Sequence, residues 1–231
     1  MDHEIADFFF NNYFLLFYAL AFIFSMVSYS KYFHTVLKYL PILIGYTLIT
    51  EILGFLIRDY DTIQIVYIDG YSYYNHLIFN IFDIIFFLYF FHVYRNAISS
   101  FKFKNWIKYG AILFIMCSII NPFFQDFQLY PQMMASTIGS IVLIFSILLF
   151  FLDKKAITNV PNRQNLLFWI SWGLLLFYTF YPFILLLAYF DYELYKQFHI
   201  RIVHHLLIAV MYSCFILGFI FMRRIRPSED M

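Results

Sequence analysis

The chain has 231 residues, of which 63% are apolar and 13% are charged, with a mean hydropathy of +0.75 and a net charge of +1. An ordinary soluble domain carries about 25% charged residues. The composition therefore excludes a soluble globular domain, a disordered tail, a disulfide scaffold and a nucleic-acid-binding protein. It predicts an integral membrane protein whose main partner is the lipid bilayer.

Apolar runs long enough to cross a bilayer recur along the chain. A helix needs about 20 apolar residues to span a core of about 30 Å, and lipid does not tolerate the unpaired backbone groups of an isolated strand. We therefore predict an all-α, polytopic membrane protein with one transmembrane domain over residues 1–231. Its seven predicted helices are residues 8–30, 39–57, 72–94, 107–124, 130–152, 165–190 and 199–222.

The basic residues orient these helices. All Lys and Arg residues except Arg58, Lys196 and Arg201 fall after the first, third and fifth helices or in the C-terminal tail, whereas most acids lie on the other side. The positive-inside rule then places the N-terminus outside and the C-terminus in the cytoplasm. We expect a multi-pass protein of the bacterial cytoplasmic (inner) membrane.

Two acids lie within the predicted helices, Glu51 in the second and Asp83 in the third. An ionisable group at membrane depth costs about 2.5–3.5 kcal/mol on insertion scales, so such groups usually face the bundle interior and carry function. Helical spacing and the predicted topology bring other polar residues to the same outer half. The predicted ligand pocket consists of Glu51, His76, Asn80, Asp83, Tyr178, Tyr181, Arg201, His204 and His205.

Three interpretations of this pocket remain open. It could bind a small ligand, with Glu51 neutralised by Arg201 or by a histidine of the seventh helix. It could be a structural polar bridge between helices. It could hold zinc through His76, His204 and Asp83. Adjacent histidines of a helix point about 100° apart, and the chain has no H-E-x-x-H pair, so we expect no cofactor and no assigned catalytic residue.

Two known types of seven-helix membrane protein share features with these polar residues. Zinc hydrolases of the adiponectin-receptor and alkaline-ceramidase type place acids and histidines on the same helices as Glu51, Asp83 and His204-His205, but their helix-2 histidine and helix-7 spacing are absent here. The stretches 50–54 and 74–76, with Asp83 and the histidine pair, resemble a bacterial type of seven-helix membrane protein. That resemblance implies the topology and the choice of Glu51.

The leading functional hypothesis is a sensory or accessory membrane protein that binds a small, lipophilic ligand. It would act through a separate membrane or cytoplasmic signalling partner, because the loops leave no room for a folded output domain. The basic stretch 95–108 would meet that partner or the anionic inner leaflet. The alternatives are a metal-dependent hydrolase of lipid or amide bonds and a proton-coupled transporter that uses Glu51 and Asp83.

Overall fold

The structure, a computed structural model, describes residues 13–59, 65, 76–153 and 162–223. Over these residues the chain is helical and contains no strand. Short helices at Tyr29–Tyr32 and Tyr192–Gln197, and 3₁₀ turns at Asn121–Phe123 and Asn162–Gln164, lie between the long ones. The long helices are α1 (Phe14–Val27), α2 (Leu40–Asp59), α3 (Leu77–Ala97), α4 (Phe101–Ile120), α5 (Met133–Leu152), α6 (Leu166–Phe190) and α7 (Ile200–Phe221).

Helices α2 to α7 are long and apolar enough to cross a membrane, whereas α1, with 14 residues, is a shorter apolar helix. A helix of that length is only about 21 Å long, less than the bilayer core. The predicted first helix starts at residue 8, and residues 8–12 lie outside the described part. The predicted all-helical class is confirmed, and the chain is a multi-pass membrane protein.

The helix boundaries differ from the prediction mainly at α3 and α4. Helix α3 continues to Ala97, three residues beyond the predicted end, and α4 begins at Phe101, six residues before the predicted start. Charged residues form helix readily, but they end an apolar run, so a hydropathy criterion stops too early. The Lys102 ammonium lies 4.9 Å from the centre of the Trp106 ring, which fits a helix end at a membrane interface.

The long helices follow one another around the bundle. Each packs against the next in the chain, and α7 returns to pack against α1, while α3 also contacts α5. Helices α6 and α7 make the most extensive contact, and Gly173 explains its closeness. A Cβ added at Gly173 would lie 2.8 Å from the carbonyl oxygen of Met211, so the two backbones touch where only glycine fits.

Aromatic side chains fill the middle of the bundle. Phe87, Phe90 and Tyr94 of α3 are fully buried, and the Tyr94 hydroxyl lies 2.9 Å from Ser171 Oγ of α6. The Phe87 ring packs on Phe114 of α4 with centroids 5.2 Å apart. These rings supply most of the apolar packing between α3 and its neighbours, and the Tyr94 hydroxyl is paired as a buried polar group requires.

The outer surface of the bundle is apolar. Large apolar side chains such as Ile42, Leu16 and Phe183 are 60–70% exposed, and many others around the helices are similarly open. A soluble monomer rarely presents such a continuous apolar surface. The exposed rings and branched side chains fit contact with lipid chains and leave the bundle interior as the place for polar chemistry.

Candidate functional site

Glu51 lies on α2 where it meets α1 and α7. The Tyr18 hydroxyl of α1 donates to Glu51 Oε1 over 3.2 Å, and the Tyr18 ring packs edge-on against Tyr212 of α7 with centroids 4.4 Å apart. The Thr47 hydroxyl of α2 donates to the Leu43 carbonyl oxygen over 2.9 Å. The Glu51 carboxyl group is therefore hydrogen-bonded to α1 through a buried tyrosine, and that tyrosine packs on a second buried tyrosine of α7.

Asp83 lies on α3 and is bonded to α5. The Ser136 hydroxyl donates to Asp83 Oδ2 over 2.8 Å. The Asp83 carboxyl also interacts electrostatically with Tyr178 and Tyr181 of α6, and Tyr181 has a second such interaction with Glu51. Tyr181 thus lies within electrostatic reach of both carboxyl groups.

These six side chains form one set, which we call the carboxyl–tyrosine cluster. They come from α1, α2, α3, α6 and α7, so five helices contribute to it. Its members are Tyr18, Glu51, Asp83, Tyr178, Tyr181 and Tyr212. Buried carboxyl and phenol groups at membrane depth need hydrogen-bond partners, and a polar ligand can supply them in place of water.

The two adjacent histidines of α7 face different helices. The His204 ring lies 5.8 Å from Tyr181 of α6, and the His205 ring lies 4.3 Å from Phe14 of α1, between ring centroids. The two imidazole centroids are 6.3 Å apart. Among the described residues no three His, Cys, Asp or Glu side chains are arranged to hold a metal ion.

Asn80, predicted to line the pocket, hydrogen-bonds the connection between α4 and α5. Its Nδ2 donates to the carbonyl oxygens of Phe127 at 2.8 Å and Tyr130 at 2.9 Å, and its Oδ1 accepts from the Gln132 N–H at 3.1 Å. The side chain is buried, and both donors of its amide and its oxygen are used. The geometry therefore gives Asn80 a structural role at the edge of the cluster.

His76 and Arg201 lie at helix starts. His76 is half-buried just before α3, and burial lowers the pKa of its imidazole. Arg201 is exposed in the first turn of α7, where its charge lowers the pKa of Tyr195 against the larger, raising effect of burial. Glu51 is hydrogen-bonded by Tyr18, and the Arg201 charge acts on Tyr195. The predicted pairing of Glu51 with Arg201 or with a histidine of the seventh helix stays a prediction.

A small cavity of about 10 Å³ lies beside Asp83, bordered by Asn80, Gln132 and Ser136. A space of that size holds about one water molecule. Gln132 Nε2 donates to the Gln125 carbonyl over 3.2 Å, which fixes the orientation of the amide and leaves Gln132 Oε1 buried without a protein partner. One water bonded to Gln132 and the Asp83 carboxyl would satisfy this acceptor.

The sequence prediction omitted Tyr18 from the site. It is one of 21 tyrosines in a uniformly apolar chain, so residue type gave no signal. A usable signal was spacing, because Phe14, Tyr18, Ala21 and Ser25 recur at helical intervals and are the buried residues of α1. Ser136 and Tyr212 also belong here, as polar residues of α5 and α7 that face the predicted acids.

Comparison of the chain with protein-family models, with characterised proteins and with solved structures gives no match.

Proposed function

We propose that the chain is a sensory or accessory protein of the bacterial cytoplasmic membrane that binds a small ligand at the carboxyl–tyrosine cluster and acts through a separate partner. The observation that carries the proposal is the cluster itself. Five helices bring two carboxyl groups and four tyrosines together inside an otherwise aromatic bundle. Burying a carboxyl group at membrane depth costs several kcal/mol, about 2.5–3.5 on insertion scales, and sites that retain such groups usually use them.

The side chains favour a particular ligand chemistry. Carboxyl groups accept hydrogen bonds or attract positive charge, and tyrosine faces stabilise cations within about 6 Å of the ring centre. The Tyr181 ring stacks on Phe177 with centroids 5.2 Å apart, next to the His204 ring. A small organic molecule with a cationic or hydrogen-bond-donating group and an apolar body would match these side chains.

The topology is part of the proposal. We place all seven helices across the membrane, with the N-terminus outside and the C-terminus in the cytoplasm, because all basic residues except Arg58, Lys196 and Arg201 lie on one side of the predicted crossings. This orientation puts the carboxyl–tyrosine cluster in the outer half. A ligand would then enter from outside and alter contacts of the basic cytoplasmic loops with a partner.

Cysteine labelling of intact cells tests the topology. The native Cys117 and Cys214 are replaced by Ser, and single cysteines are introduced as His3→Cys, Asp126→Cys and Arg163→Cys. A membrane-impermeant maleimide should label positions 3 and 126 in intact cells and position 163 only after lysis. Labelling of position 126 from the cytosol alone would overturn the orientation, and an unlabelled position 3 beside a labelled position 126 would remove α1 as a crossing.

Native mass spectrometry of the protein purified from its own membranes tests the ligand. We expect a small molecule of constant mass to remain bound to the wild type and to be lost in Glu51→Gln and in Asp83→Asn. The matched control is Asp126→Asn, which removes an acid from the connection between α4 and α5 and should retain the adduct. A wild-type spectrum without an adduct, or an adduct that survives both substitutions in the cluster, would contradict the proposal.

The metal-dependent hydrolase and the proton-coupled transporter remain the alternatives predicted from the sequence. No contact among the described residues favours the hydrolase, whose ligands would be His76, His204 and Asp83. The transporter would need a polar path from the cluster towards the other end of the bundle, where aromatic rings fill the described core.

A further inference from the structure

A second cavity, of about 150 Å³, lies at the end of the bundle opposite the carboxyl–tyrosine cluster. The turn between α1 and α2 borders it, as do the C-terminal ends of α3, α5 and α7 and the N-terminal end of α6. This end is opposite because Asp83, Tyr181 and His204 lie towards the other ends of α3, α6 and α7. The polar residues that line it include Lys31, Gln164, Asn165 and Arg223.

The polar side chains of this cavity are cationic or neutral. Lys31 and Arg223 contribute an ammonium and a guanidinium group, and no Asp or Glu is among the lining residues that the structure describes. Lys31 is half-buried, and neither cation is ion-paired within the described part of the chain. The carboxylate of Asp153, just beyond the end of α5, instead accepts the N–H groups of Ser99 and Ser100, the latter over 3.1 Å.

The start of α6 adds positive potential at the same place. Asn165 caps this 25-residue helix by accepting the Leu167 N–H on its Oδ1 over 3.0 Å, and both residues line the cavity. Because helix dipoles align, the N-terminus of a helix carries a partial positive charge that favours phosphate and carboxylate groups. The helix end and the two side-chain cations therefore border one cavity.

Some polar side chains that line the cavity already donate hydrogen bonds within the protein, and others do not. The Tyr32 hydroxyl donates to the Ser25 carbonyl over 2.8 Å, and the Thr35 hydroxyl donates to the Tyr32 carbonyl over 2.7 Å. Within the described residues, the Lys31 ammonium, the Arg223 guanidinium and the Gln164 amide remain as donors without a partner. These are the donor types that recognise a phosphate group, with Arg able to contact two oxygens at once.

We propose that this cavity binds a phosphate group. The source is either the headgroup of an anionic phospholipid or a free phosphate compound. The rest of the lining is mostly apolar, including Val36, Leu37 and Met222, and it suits the glycerol and first methylene groups of a lipid that reaches in from the bilayer. The inference does not depend on the ligand proposed for the carboxyl–tyrosine cluster.

Lipid titration with native mass spectrometry tests this site. The purified protein in detergent is titrated with phosphatidylglycerol and, as the zwitterionic comparison, with phosphatidylcholine. The double variant Lys31→Gln/Arg223→Gln should bind phosphatidylglycerol at least about 10-fold more weakly than the wild type, since each cation near an anionic headgroup contributes several-fold to affinity. The control Lys38→Gln/Lys102→Gln removes the same charge from exposed positions at the same end and should stay within about twofold.

Two further arms distinguish the source of the phosphate and a loss of fold. Inorganic phosphate should raise the Tm of the wild type, but not of the double variant, if a free phosphate compound is the ligand. The charge-preserving pair Lys31→Arg/Arg223→Lys should restore most of the binding. Equal loss in the control pair, equal binding of the two lipids without a phosphate effect on Tm, or failure of the charge-preserving pair to restore binding would each overturn the proposal.

Discussion

We expect the Asn80 side chain to contribute more to the free energy of unfolding than a side chain with a single hydrogen bond does. Asn80→Ala removes two hydrogen bonds to the carbonyls of Phe127 and Tyr130 and one from the Gln132 N–H, at 2.8, 2.9 and 3.1 Å. A net hydrogen bond contributes about 0.5–1.5 kcal/mol, and about 0.6 on average between membrane helices. The three together predict a loss of about 2–4 kcal/mol in the free energy of unfolding.

A matched control lies on the same helix. Asn96 is exposed and bonds within its own turn, with Nδ2 2.9 Å from the His92 carbonyl oxygen, so Asn96→Ala should cost less than about 0.5 kcal/mol. Reversible unfolding in mixed micelles measures both variants against the wild type. Asn80→Asp tests the two donated hydrogen bonds separately. It keeps the shape of the side chain but places an oxygen in place of the Nδ2 group, against the carbonyl oxygens of Phe127 and Tyr130. Equal stability of Asn80→Ala and Asn96→Ala would refute the structural role given to Asn80.

Three other perturbations follow from the packing and the site. Gly173→Ala should lower the Tm, because the new methyl group would lie 2.8 Å from the Met211 carbonyl oxygen and such overpacking costs about 1–3 kcal/mol. In the control Gly45→Ala the nearest atom, 2.9 Å away, is on the edge of the partly buried Phe22 ring, which can shift, so the Tm should change little. Equal changes in Tm would contradict the close backbone contact at Gly173. Glu51→Gln should preserve the fold, because an amide still accepts the tyrosine hydrogen bond, and loss of membrane-inserted protein would instead identify a structural ion-pair member. Burial lowers the pKa of the His76 imidazole in the folded protein. As pH drops below about 6.5, the unfolded chain therefore takes up a proton at His76 more readily than the folded chain does, and stability falls. His76→Gln should flatten the dependence of Tm on pH between about 7.5 and 5.5, and an unchanged slope would contradict this.

The fold was predictable because bilayer thickness fixes the length of a spanning helix. Uninterrupted apolar runs located α2 to α7. The predicted ends differ where a helix continues into charged residues, as at Lys102, and where a helix ends earlier than predicted, as α4 does at Ile120. For α1, the described helix begins at Phe14, and the predicted start at residue 8 lies outside the described residues. Hydropathy gives the existence of each helix, but its ends depend on local contacts that a sum of residue values does not contain.

The site was predictable only in part. Charge at membrane depth found Glu51 and Asp83, and helical spacing placed Tyr181 near them. The same criterion placed Asn80 in the pocket, but it could not show that this side chain hydrogen-bonds a loop backbone about fifty residues away. Tyr18 was missed for the opposite reason, since a tyrosine in an apolar helix is unremarkable until its partner is known.

Conduction of protons between the two polar ends is the behaviour that this core opposes. Along α3, Asp83 is followed towards the second cavity by the buried rings of Phe86, Phe87 and Phe90. The buried polar groups of this stretch are the Tyr89 hydroxyl, which has no hydrogen-bond partner among the described residues, and the Tyr94 hydroxyl, which pairs with Ser171. Along the helix axis, Asp83 and Tyr89 are about 9 Å apart and Tyr89 and Tyr94 about 7.5 Å apart, and each step is longer than a hydrogen bond between donor and acceptor.

A proton relay needs consecutive groups within hydrogen-bond distance, so a signal between the two ends would have to travel as movement of packed helices instead. We therefore expect proteoliposomes with the wild type and with Glu51→Gln to dissipate an imposed pH gradient at the same rate as empty liposomes. An exterior pH dye follows the gradient, and a protonophore added at the end measures the capacity that remains. A flux that requires Glu51 would show that water or polar groups traverse the ring layer, and it would replace the ligand-binding proposal with proton-coupled transport.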